Sequence, residues 1–147
     1  MKLLSRHLMI DFYHCKEESL ADGAAIERYL RDALTSLGYE IEATSARVFD
    51  DQFAVTVIFP EGHLAIHAYP ELLYVALDVF LCKEDAEPES IYRPLKNFFA
   101  PDKTKTTLIK RGDFSKEIKP KTKTRFAPMR KLKTTGANVI KILSNQK

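Results

Sequence analysis

The chain has 147 residues, 45% hydrophobic and 29% charged, which suits one soluble domain with a real core. No apolar run reaches the length of a membrane span, and Arg6, His7 and Asp11 interrupt the apolar start, so neither a membrane anchor nor a signal peptide is expected. Net charge is only +3 but uneven: residues 116–147 hold ten Lys/Arg against one acid, and the rest holds 13 against 19, so an acidic body carries a basic tail.

In chain order, residues 6–14 (RHLMIDFYH) read as a first strand of mixed burial. A polar stretch containing Asp22-Gly23 follows. Ile26, Leu30, Leu34 and Leu37 then recur at helical spacing, predicting a helix over 25–37 that ends at Gly38. Residues 40–48 and 53–59 read as strands joined through Asp50-Asp51, with Phe53, Val55, Val57 and Phe59 on one face. Pro60-Glu61-Gly62 is a break before a strand over 63–69, which Pro70 ends. Residues 73–82 form the most apolar strand. A helix opened by Pro88 is expected over 88–99, with a kink or early stop at Pro94. A last strand is expected over 105–111.

Closely linked consecutive strands must pair antiparallel. The expected fold is therefore an α+β two-layer sandwich, an antiparallel sheet with two helices on one face. Alternation sends Val75, Leu77, Val79, Leu81, Leu64 and Ile66 toward the helices. It sends His63, His67, Tyr69, Tyr74, Asp78, Phe80 and Cys82 to the bare face. That face is too aromatic to stay bare, and a second protomer is expected to cover it. Polar, ionisable groups on a covered face are site candidates.

Cys15 and Cys82 make no disulfide framework, which points to the reducing cytoplasm. No metal site is expected. His63 and His67 lie on one strand about 13 Å apart, too far to share an ion.

The segment EGHLAIHAYPELLYVALDVFLC (61–82) resembles the signature of prokaryotic S-adenosylmethionine decarboxylases, roughly E-S-H-L-x-I-H-T-W-P-E-x-x-Y-x-x-x-D-x-F-x-C. Glu61, His63, Leu64, Ile66, His67, Pro70, Glu71, Tyr74, Asp78, Phe80 and Cys82 match it. The opening SRHLMIDFYHC (5–15), Ile26-Glu27 and Lys110-Arg111-Gly112 also resemble that family, so the similarity covers about residues 1–115. A basic extension, 116–147, lies outside it.

The resemblance implies a compact α/β sandwich that dimerises. It also implies an enzyme that cleaves itself before a serine, which becomes a pyruvoyl cap. That ketone is the electron sink for decarboxylating S-adenosylmethionine on the way to spermidine. Residue by residue, His67 matches a histidine used in processing and Cys82 the acid that reprotonates the product. Phe49 matches an aromatic that stacks on adenine, and Glu71 a carboxylate that holds the ribose. Gly62 stands where the serine belongs, with no side-chain oxygen to attack the preceding carbonyl. Thr56 and Ser45 sit at the wrong places in the pattern. Against the family pattern, a helper serine near Ala54 or Val55 is missing, and the turn before that strand is one residue short.

The chain is thus expected to be a non-processing, catalytically inactive homologue without a cofactor. It would keep a pocket for S-adenosylmethionine or a related nucleoside, as a homodimer or a heteromer with an active paralogue. Two other readings stay open: altered chemistry by His67 and Cys82 without pyruvoyl, and an interaction protein acting through the tail. The plainer readings make Cys82 a buried small hydrophobe, His67 a structural histidine, Phe49 a strand-end core aromatic and Glu71 a turn-surface acid. Asp78 is read as a hydrogen-bonded structural carboxylate. The tail's cations and Phe126 suit nucleic acid or an acidic partner, but no sequence-specific motif is visible. Its plainer reading is a solvated extension packed on the acidic body.

Overall fold

A computed structural model of the chain describes residues 3–117 and 119. The expected tail therefore falls almost entirely outside the described residues. The elements are β1 (Leu3–Tyr13), α1 (Glu17–Leu20), α2 (Gly23–Ser36), β2 (Ala43–Val48), β3 (Phe53–Phe59), β4 (Gly62–Tyr69), β5 (Tyr74–Leu81), α3 (Glu89–Phe99) and β6 (Lys103–Asp113). They build one six-stranded sheet in the order β2-β3-β4-β5-β1-β6, antiparallel throughout. This is the α+β sandwich that the alternation predicts.

Local chemistry explains the helix ends. The Asp22 carboxylate accepts the Ala24 N–H and caps α2, two residues earlier than the apolar stripe suggests. At the other end Gly38, at φ +90°, lets its own N–H reach the Thr35 carbonyl and that of Tyr39 reach Leu34. That is the Schellman termination. Ile26, Leu30 and Leu34 face inward from α2, and Ile91, Leu95 and Phe99 from α3, all at most 1% exposed. They meet Ile10, Phe12, Val57, Leu64, Ile66, Val75, Leu77 and Val79 from the sheet. Each such side chain contributes about 1.5–3 kcal/mol through burial.

Several expectations need correction. Of the kink or early stop expected at Pro94, the early stop is overturned, since α3 runs on to Phe99. The proline lies in the second turn, where it removes the bond to the Ser90 carbonyl. The Tyr29 hydroxyl donates to the Pro94 carbonyl at 2.8 Å, and the Tyr29 ring stacks on Phe98 at 4.1 Å. The expected break at Pro60-Glu61-Gly62 is shorter than predicted, because Gly62 is already the first residue of β4. β2 starts at Ala43 rather than at residue 40, and β6 runs further at both ends than 105–111. A one-turn helix, α1, precedes α2 and buries Leu20.

Candidate functional site

The face without helices is built by alternate residues of every strand. Strand pairing sets its rows. One row runs Ala43, Ile58, His63, Phe80, His7, Ile109; another runs Arg47, Ala54, His67, Ala76, Asp11, Lys105. The residues expected on this face from alternation are there.

The site candidates, however, fall at two ends of the sheet. At one end lie Phe49, His67 and Glu71. The Phe49 N–H donates to the Gln52 carbonyl at 2.8 Å, closing the β2–β3 turn. The Gln52 side chain lies 2.8 Å from His67 Nδ1, which ties that turn to β4. Phe49 is 53% exposed, so it is no core aromatic. Glu71 sits exposed in the one-turn 3-10 helix Pro70–Leu72, just past the end of β4.

At the other end lie Gly62 and Cys82. Gly62 pairs with Phe59 on one side and Leu81 on the other. The Cys82 N–H donates to the Glu61 carbonyl at 2.6 Å. The Cys82 thiol is exposed, which overturns its reading as a buried hydrophobe. Cys15 is the buried one, and burial pushes its thiol up to about 11. Two polar atoms near this end, Arg6 Nε and Glu61 Oε2, are buried without a partner among the described residues. A cavity of about 220 Å³ adjoins Glu61, lined also by Tyr39, Leu81 and Lys83. His67 stands opposite Ala76, so Cys82 is displaced along β5 by about six residues, roughly 20 Å.

Between the two ends the face carries groups that the sequence did not single out as partners. His7 Nε2 donates to Asp78 Oδ1 at 3.1 Å, so Asp78 is the hydrogen-bonded carboxylate expected of it. Phe80 is packed by His63 on its face at 5.4 Å, by His7 edge-on at 5.9 Å and by the Arg111 guanidinium at 5.4 Å. Nearer His67, Tyr13, Tyr69 and Tyr74 cluster, and the Tyr74 hydroxyl donates to Asp11. Burial, helped by that carboxylate, holds the Tyr74 phenol far above its ordinary value. Cross-strand register made these partnerships, and no spacing along the chain announces them. A larger groove, about 750 Å³, lies in the other layer between α2 and α3, and no site candidate lines it.

Chemically, the first end offers an exposed aromatic, an oriented imidazole and an exposed carboxylate. These are groups that suit a purine and a sugar. The second end offers an accessible thiol beside a tight turn.

Comparison with known proteins bears on descent and on the fold. The family model described as S-adenosylmethionine decarboxylase matches residues 6–112. The chain is 34% identical over 113 residues to the S-adenosylmethionine decarboxylase proenzyme of Methanococcus vannielii, covering 76% of this chain and 93% of that one. It is 32% identical over 120 residues to the proenzyme of Caldicellulosiruptor saccharolyticus, covering 81% and 97%. The crystal structure of the adenosylmethionine decarboxylase from Aquifex aeolicus superposes with a TM-score of 0.72 at 18% identity, covering 82% of this chain and all of that one. That last likeness speaks for the fold; the family match and the identities speak for descent. The chain belongs to the S-adenosylmethionine decarboxylase family.

Proposed function

We propose that this chain is a decarboxylase homologue that does not cleave itself. It keeps a pocket for S-adenosylmethionine or a related nucleoside and acts by binding, in or beside spermidine synthesis. The observation that carries the reading is Gly62. A pyruvoyl group must be made from a residue of the chain itself, and the residues at the β3–β4 turn do not fit it. Gly62 has no hydroxyl to attack the Glu61 carbonyl. Ser45 and Thr56 face each other across the β2–β3 pair, well down the sheet from that turn.

The ligand end supports the binding half of the proposal. Phe49 offers a ring face for a purine, Glu71 a carboxylate for ribose hydroxyls, and His67 is oriented by Gln52. In the same reading Cys82 keeps an inherited position without its reaction. Within one chain, His67 and Cys82 stand too far apart to act on one small molecule. That separation counts against altered chemistry by this pair in a single protomer. It favours a second copy, or an active paralogue, laid on the open face in the opposite direction, which would bring one chain's His67 toward the other's Cys82. Ile58 at 49% and Ile109 at 40% exposure, together with the half-buried Phe80, supply apolar surface for that contact. A reducing, cytoplasmic setting fits two free thiols, one of them exposed.

Titration calorimetry with S-adenosylmethionine and with its decarboxylated product tests the pocket; heat from neither ligand removes it. Intact mass tests processing. A single full-length species is expected, and two fragments divided before Gly62 would refute the reading.

A further inference from the structure

We infer that β5 closes position 62 to every side chain, so that loss of self-cleavage is built into the backbone and one restored hydroxyl does not bring it back. This rests on the non-processing reading above and deepens it.

Gly62 has φ +155°, a backbone conformation that L side chains rarely adopt. A Cβ placed there would overlap the Phe80 carbonyl oxygen and lie 2.8 Å from the Phe80 carbonyl carbon and 3.2 Å from Leu81 Cα. All three are backbone atoms of β5, so no rotamer change relieves the overlap. β5 cannot retreat cheaply either. Its Val79 and Leu81 side chains are at most 1% exposed on the core side, and its outer edge is paired with β1 along seven residues, from Arg6↔Leu81 to Phe12↔Val75. Close by, the Cys82 N–H holds the Glu61 carbonyl at 2.6 Å. The peptide that a serine hydroxyl would have to attack is therefore fixed in the β4–β5 pair.

Gly62 here is more than an absent nucleophile. It is the residue that allows the two backbones to approach this closely, and any L residue must push β4 and β5 apart.

The test compares the full chain with Gly62→Ser and Gly62→Ala. Intact mass, thermal melting and exchange of the Cys82 amide hydrogen are read on all three. Gly62→Ser is expected to remain one uncut chain. Both variants are expected to melt lower by about 5 °C or more and by similar amounts, since the overlap comes from Cβ and not from the hydroxyl. The Cys82 amide, protected in the unaltered chain, is expected to exchange faster in both. If both variants fail to fold, the steric account is supported, since alanine adds nothing but the Cβ. Melting of Gly62→Ala at the unaltered temperature would overturn the inference, as would fragments of Gly62→Ser with a blocked new N-terminus. Cleavage of the unaltered chain would instead overturn the non-processing reading, so the two failures are distinguishable.

Discussion

His67 Nδ1 and Gln52 Oε1 lie 2.8 Å apart, joining β4 to the turn that carries Phe49. The turn thus orients the imidazole on which the proposed pocket depends. Gln52→Ala removes one hydrogen bond, a loss of about 0.5–1.5 kcal/mol. S-adenosylmethionine affinity is expected to fall by about 2- to 10-fold by calorimetry. Unchanged affinity would place His67 outside the pocket.

The two cysteines differ in access. Cys82 is exposed and Cys15 is 3% exposed, with its thiol pushed by burial from 9.0 to about 11. Only a thiolate alkylates readily. Iodoacetamide at pH 8 is expected to label Cys82 alone in the folded chain, and both residues in denaturant. Peptide mapping by mass spectrometry reads the result; native labelling of Cys15 would contradict its burial.

Tyr74 makes stability sensitive to alkali. Burial and the Asp11 carboxylate raise its phenol above the ordinary 10.0 in the folded chain. Below pH 10 the phenol is protonated in both states, and its contribution is fully present. As pH rises past 10 the unfolded chain ionises first, so stability falls until the folded phenol ionises too. Tyr74→Phe is expected to flatten the decline above pH 10 in urea melts taken across that range. An identical slope in the variant would refute this.

Ala100 ends α3 in the left-handed region at φ 43°, with its N–H on the Lys96 carbonyl at 2.9 Å. A Cβ is strained there and glycine is not. Ala100→Gly is expected to stabilise the fold by about 0.5–1 kcal/mol, seen as a higher urea midpoint at unchanged slope.

Ile58 is 49% exposed on the open face, so charge there should cost a lone protomer less than about 0.5 kcal/mol. In the proposed assembly the same residue is covered. Ile58→Glu is expected to keep its melting temperature at low concentration while sedimentation velocity shifts from dimer to monomer. A dimer that survives the change must use another surface.

The sequence alone determined the six strands, the two longer helices, the layer arrangement and the family. Period-two alternation in 63–69 and 73–82 and the helical stripe of Ile26, Leu30 and Leu34 are local signals, and burial on one face makes them legible without a structure. The dense signature from Glu61 to Cys82 did the same for descent. What only the tertiary structure decided was everything that depends on how strands lie beside one another. Register set His67 against Ala76 and left Cys82 at the far end of β5. It set Gln52 beside His67 and Asp78 beside His7. The Tyr29 contact that accompanies Pro94 inside α3 joins residues 65 apart in the chain. Gly62 shows the division most plainly. The sequence shows that a hydroxyl is missing there. Only the packing of β4 on the Phe80 carbonyl shows that no side chain fits, because backbone approach is set by hydrogen bonding between distant strands and leaves no period in the chain.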